Sequence, residues 1–288
     1  MSDLGTLGGN YSQAYGINAA GQVVGWASTS GGSYHGFLYS GGGMTDLGTL
    51  PGGSYSQALG INAAGQVVGA ARTSGDTPAH AFLYSGGVMT DLGTLGGTGS
   101  SAAGINAAGQ VVGYSFTSGD AAQHAFLYSG GGMSDLGTLG GTSSYARGIT
   151  AAGQVVGWSY TSAGYGHAFL YSGGVMTDLG TLGGTHSFAY GINAAGQVVG
   201  YSDISGNAGR HAFLYSGGVM SDLNDLLAPG SGWEIGDAVG INDRGWIAAT
   251  GYSAALGEQH ALLLVPEPAS AMLLLGGGLA LLRRRFRR

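Results

Sequence analysis

Apolar residues in this chain come in short runs rather than helical stripes. Val23-Val24-Gly25-Trp26 and Phe37-Leu38-Tyr39 are typical, each bounded by Gly, Ser, Asn or Asp. No 3.6-residue periodicity appears over residues 1–265, so this body is expected to be all β. Four segments of strand character recur in one order; in the first copy they are Ala14–Asn18, Gln22–Trp26, His35–Tyr39 and Met44–Leu50. Asn18-Ala19-Ala20-Gly21 joins the first two. Asn opens a type I turn, and Gly supplies the positive φ that closes a bulged hairpin. The runs do not alternate apolar with polar, the pattern of strands covered on both faces.

The segments belong to a repeat. Gly-Ile-Asn begins at Gly16, Gly60, Gly104, Gly191 and Gly240, with Gly-Ile-Thr at Gly148. A His precedes an apolar run at His35, His80, His124, His167, His211 and His260, and Asp-Leu recurs at Asp3, Asp46, Asp91, Asp135, Asp178 and Asp222. Six units of about 44 residues fill residues 1–265. Four strands in about 44 residues is the arithmetic of a propeller blade. The expected fold is therefore an all-β, six-bladed β-propeller, with an open β-solenoid as the structural alternative. The chain opens at a fourth strand (Ser2–Leu7) and the body ends at a third (His260–Val265), so residues 2–7 are expected to complete the last blade and close the ring. Residues 266–288 form a separate segment.

Composition narrows the chemistry. Without Cys there is no disulfide framework, thiolate metal site or cysteine nucleophile. Lys is absent as well, and five of the nine Arg (Arg283, Arg284, Arg285, Arg287, Arg288) occupy the last six positions. The body thus sets fourteen acidic residues against four Arg, which excludes the basic footprint of a nucleic-acid binder.

The C-terminal order is Pro266-Glu267-Pro268, a charge-free stretch Ala269–Leu282, then the Arg cluster. As a helix the stretch would reach about 21 Å, short of the ~30 Å hydrocarbon core, so a short hydrophobic helix with transient membrane association is expected. The terminal arginines would hold that end in the cytoplasm and leave the body on the other side. Together these features resemble the PEP-CTERM sorting signal of Gram-negative bacteria. The resemblance implies recognition by a membrane exosortase, with Pro266, Glu267 and Pro268 as the sorting motif and the five terminal Arg as membrane-retention residues. It places the protein in the cell envelope or outside the cell, in exopolysaccharide-producing bacteria. The body resembles the HAF repeat family of extracellular proteins through His-Ala-Phe at His80, His124, His167 and His211; the first unit reads His-Gly-Phe and the last His-Ala-Leu. Met1–Leu4 carries no export signal and copies Met133–Leu136, so a signal and further repeats are expected upstream.

Candidate chemistry is sparse. A His and an Asp repeated in every unit are expected to bond inside each blade rather than hold a metal. The turns joining first and second strands mostly lack carboxylates, which argues against calcium. No nucleophile elbow, phosphate loop or metalloprotease motif is present, so no catalytic residue, cofactor or metal is assigned. The acids outside the repeated positions concentrate in the last unit (Asp225, Glu234, Asp237, Asp243, Glu258), which leaves a glycan-active hydrolase or lyase as the alternative function. Positions that vary between otherwise nearly identical units are rich in aromatic residues and weakly charged. Tyr34, Phe116, Tyr160, Tyr165 and Tyr252 are the candidate glycan-binding residues, because aromatic faces stack on sugar rings. The expectation is a non-enzymatic, monomeric surface or secreted protein of the biofilm matrix or an adhesion layer, binding extracellular polysaccharide weakly at several places.

Overall fold

The computed structural model describes residues 2–75, 78–266 and 279–281. They form β-strands and three short 3-10 turns, with no α-helix among the described residues. The chain divides into two compact units, 1–138 with 142–153 and 139–141 with 154–288.

In the first unit, β1 (Gly8–Ile17), β2 (Val23–Thr29), β3 (Tyr34–Ser40) and β4 (Gly43–Asp46) make one antiparallel sheet. A second contains β5 (Ser56–Ile61), β6 (Val67–Ala71), β7 (His80–Ser85) and β8 (Val88–Asp91). Then come β9 (Gly96–Ile105), β10 (Val111–Thr117), β11 (Gln123–Ser129), β12 (Gly132–Asp135) and β13 (Gly140–Ile149). The second unit continues with β14 (Val155–Thr161), β15 (Gly166–Ser172) and β16 (Val175–Asp178). It also holds the sheet of β17 (Gly183–Ile192), β18 (Val198–Ile204), β19 (Arg210–Ser216) and β20 (Val219–Asp222). The last sheet comprises β21 (Trp233–Ile241), β22 (Ile247–Ser253), β23 (Glu258–Pro266) and β24 (Leu279–Leu281).

The repeat arithmetic is corrected at three points. Only four blades are separate four-stranded sheets. Strands β9–β16 merge into one sheet of eight, ordered β16-β15-β14-β13-β11-β10-β9, with β12 also on β11. The join between repeats is a single parallel contact of Gln123 on β11 with Ser143 on β13. Second, residues 2–7 do not close a ring as the fourth strand of the last sheet. Leu7 instead makes a parallel bridge to Thr29 within the first repeat, and β24 holds the edge of β23 through Leu264 opposite Leu281, Val265 opposite Ala280 and Pro266 opposite Leu279. Third, the expected C-terminal helix is contradicted at Leu279–Leu281, which pairs as a strand with an edge that would otherwise present free N–H and C=O groups. The rest of that segment, with Glu267, Pro268 and the five terminal Arg, lies outside the described residues. Among the described residues no helix is long and apolar enough to cross a membrane.

The first strands are longer than the sequence suggests. Gly8–Gln13 and Gly183–Phe188 read as loops, yet they are the leading halves of β1 and β17. Register shifts between Gly8 and Ser12, and between Gly183 and Ser187, absorb the extra residues as bulges.

Each blade buries one face against its neighbour. Val24 and Leu47 of the first blade meet Ala58, Val67 and Phe82 of the second, while Val156 and Leu179 meet Ala189, Val198 and Phe213. The phenylalanine of every Phe-Leu-Tyr run is essentially fully buried. That accounts for runs without alternation, since both faces of these strands are covered.

A serine stitches blade to blade. The N–H of Ala125 on β11 donates to Ser144 Oγ on β13 (2.8 Å), and that hydroxyl donates to the Gly137 carbonyl. Ser56, Ser100 and Ser187 do the same for Gly36, Ala81 and Ala168. The turn asparagines form a second ladder. Asn62 Oδ1 accepts the N–H groups of Ala64 and Gln66 in its own turn, while its Nδ2 donates to the Asn106 carbonyl one repeat on (3.0 Å).

Candidate functional site

The repeated His and Asp bond within their blades. His124 Nδ1 lies 2.8 Å from Asp135 Oδ2, and the His80–Asp91 and His167–Asp178 pairs match it. A carboxylate can only accept, so the bonded tautomer carries its proton on Nδ1. The other carboxylate oxygen of Asp135 accepts the N–H of Gly137, which ends β12 in a tight turn. Among the described residues His260 has no Asp partner and bonds Glu258 instead (3.0 Å).

Aromatic residues cluster within each unit. In the second unit, β14 contributes Trp158 and Tyr160, while β17 presents His186, Phe188 and Tyr190 at alternate positions and therefore on one face. Tyr160 meets Trp158 edge-on at 5.4 Å between ring centroids, and Trp158 lies 5.0 Å from Phe188. Phe188 stacks on Tyr201 of β18 at 5.0 Å with 27° between planes. The Arg210 guanidinium covers Tyr201 at 4.8 Å and bonds Asp237 at 3.0 Å. Tyr165, exposed on the loop before β15, stands edge-on to His186 at 5.7 Å. The track therefore runs from Tyr160 through Trp158 and Phe188 to Tyr201 and Arg210, with Tyr165 at its side. Burial pushes the Tyr201 hydroxyl up to about 12, with Tyr190 adding to the rise and Arg210 opposing it.

In the first unit Trp26 lies 5.1 Å from Tyr11 and 4.8 Å from Tyr34, and its indole N–H donates to the Tyr15 hydroxyl (3.0 Å). Tyr34 bridges Tyr55 through the backbone, and Arg72 sits 5.6 Å over the Tyr55 ring. Burial raises the Tyr55 hydroxyl, Tyr15 adds to the rise, and Arg72 opposes it.

Of the residues picked out by repeat variation, Tyr160 and Tyr165 fall together in the second unit and Tyr34 joins the first-unit cluster. Phe116 packs over Gly97, where a side chain would collide with it, and lies in ordinary contact with Gly99. Tyr252 is exposed on β22 opposite Glu234 and Gln259. The central members of the track, Trp158, Phe188 and Tyr201, escaped the sequence reading. The usable signal was the aromatic after the strand glycine, present as Trp26, Tyr114, Trp158 and Tyr201.

The acids of the last repeat are mostly engaged. Asp237 pairs with Arg210, Glu258 with His260, and Asp243 Oδ1 accepts the Ala194 N–H (2.8 Å). Among the described residues no group of three or more His, Asp or Glu is placed to hold a metal.

Comparison with known proteins gives a class before anything narrower. The β-propeller domain of the Trilobed protease from Pyrococcus furiosus, described as having an open velcro topology, superposes with a TM-score of 0.54 at 8% identity, covering 88% of this chain and 81% of that one. TolB from Acinetobacter baumannii reaches 0.49 at 13% identity, over 84% of this chain and 63% of that one. The class is an all-β propeller. No curated protein matches the sequence. Residues 264–288 match the PEP-CTERM protein-sorting motif, so the chain carries a signal for export across the inner membrane to the cell envelope or the outside. Such signals are processed by exosortase at the membrane.

Proposed function

We propose that this exported propeller is a non-enzymatic component of the cell surface or extracellular matrix that holds polysaccharide on its aromatic surfaces. The observation that carries the reading is the track Tyr160–Trp158–Phe188–Tyr201. The rings pack edge-on and stacked against one another yet stay half-buried rather than buried, so the aromatic surface they leave open suits the apolar faces of pyranoses, and neighbouring polar groups suit their hydroxyls. The first-unit cluster around Trp26 adds a second contact region, so individually weak contacts gain from avidity on a polymer. The likeness of the repeats to HAF proteins, together with the sorting signal, supports a place outside the cell, as a monomer amid exopolysaccharide.

Binding is favoured over hydrolysis in that Asp237, Asp243 and Glu258 are engaged, so that of the five acids only Asp225 and Glu234 could supply the two carboxylates that glycoside cleavage needs. Incubating the full-length protein with exopolysaccharide from the producing bacterium separates the two. Co-sedimentation without new reducing ends is the expected outcome; release of reducing ends, lost in Asp225→Asn or Glu234→Gln, would establish the enzyme instead.

A further inference from the structure

One blade departs from its siblings around the shared His–Asp pair. In β19 and β20 the pair is His211–Asp222, with Nδ1 2.5 Å from Oδ2. The Asp222 side chain is 15% exposed, whereas Asp91, Asp135 and Asp178 are 40–42% exposed in the same role. The cause is local sequence. Elsewhere Asp is followed by Leu-Gly-Thr-Leu, but here by Leu223-Asn224-Asp225-Leu226, which winds into a 3-10 turn. Asn224 donates to Asp222 Oδ1 through both its backbone N–H (2.8 Å) and its Nδ2 (2.9 Å).

This turn walls a cleft of about 580 Å³, within the range of small-ligand sites. Leu182, Ile204, Met220 and Leu226 give it an apolar side; His211, Ser205, Ser221, Asp222 and Asp225 give it a polar one. No Lys or Arg lines it. Asp222 is already saturated by His211 and Asn224. The side chains of Asp225, Ser205 and Ser221 hydrogen-bond to no other group among the described residues, so their capacity remains available to a ligand.

We propose that this cleft binds a sugar residue carrying a free ammonium group, a hexosamine, as a site distinct from the aromatic track. Asp225 receives the ammonium, Asp222 supplies a second negative charge fixed by His211, the serine hydroxyls bond ring hydroxyls, and the apolar side covers the pyranose face. Asp225 is exposed at the mouth of the cleft, so the preference comes from direct attraction of the ammonium, which a neutral sugar lacks and which is reversed for a uronic acid.

Calorimetric titration of the full-length chain with tetramers of glucosamine, N-acetylglucosamine and glucose tests this. The glucosamine tetramer is expected to bind tightest, and Asp225→Asn should weaken it by about tenfold or more while leaving the other two tetramers and the thermal midpoint unchanged. Trp158→Ala should leave the preference for the free amine intact, which separates this site from the track. Equal affinity for the three tetramers, no binding of the glucosamine tetramer, or an unaltered preference in Asp225→Asn would overturn the proposal.

Discussion

Residues in this chain do one job many times. In five of the six repeats a His–Asp pair holds the start of the third strand to the end of the fourth, and because most of these carboxylates are open to water each pair contributes modestly. Asp135→Ala should cost about 1 kcal/mol, lowering the melting temperature by a few degrees, as scanning calorimetry would register. The strand glycines tolerate far less. A Cβ on Gly200 would lie 1.8 Å from the Phe188 carbonyl oxygen, and on Gly113 1.9 Å from that of Ser101. Gly200→Ala is therefore expected to prevent stable folding, visible as loss of soluble protein. Ala249 takes the corresponding place in β22, where the register of β21 shifts between Ile235 and Asp237. Tyr201 makes the pH prediction. Its folded value of about 12, above the ordinary 10, means that its stabilising share is whole below pH 10 and is lost as pH climbs through 12. In an alkaline spectrophotometric titration the last tyrosine to ionise before unfolding should disappear in Tyr201→Phe.

At the scale of elements, the turn Asn and the buried Phe were readable from sequence because each has a local signature. The serine stitches were not. Ser144 stands in a run that looks like a polar loop, and only the pairing of β11 with β13 makes it a bridge between repeats. Ser144→Ala strands the buried N–H of Ala125 and the Gly137 carbonyl, and should cost about 2–3 kcal/mol in urea unfolding, more than Asp135→Ala despite the smaller side chain. The long first strands were hidden for a related reason. Gly-Gly-Thr reads as a turn, whereas here the paired glycines carry strands through bulges at Gly96, Gly140 and Gly183, each with φ above 90°.

For the molecule as a whole, repeat length gave the propeller class, and the terminal Pro-Glu-Pro, apolar stretch and arginines gave the route out of the cell. The partition of strands into sheets could not be read from the period, because it depends on one parallel contact between Gln123 and Ser143 and on which segment reaches the β23 edge. The aromatic track was only half legible. Tyr160 and Tyr165 vary between repeats and drew notice for that; Trp158, Phe188 and Tyr201 converge from three strands, a juxtaposition fixed by packing rather than by spacing in the chain. The account rests on that juxtaposition binding polymer. Affinity electrophoresis of full-length protein through gels containing the producing bacterium's exopolysaccharide tests it most directly, comparing the wild type with a Tyr165→Ala, Phe188→Leu double variant that keeps apolar bulk inside the sheet. The account predicts retardation of the wild type and a loss of about tenfold in apparent affinity for the variant; equal retardation of the two proteins, or none of either, would contradict it.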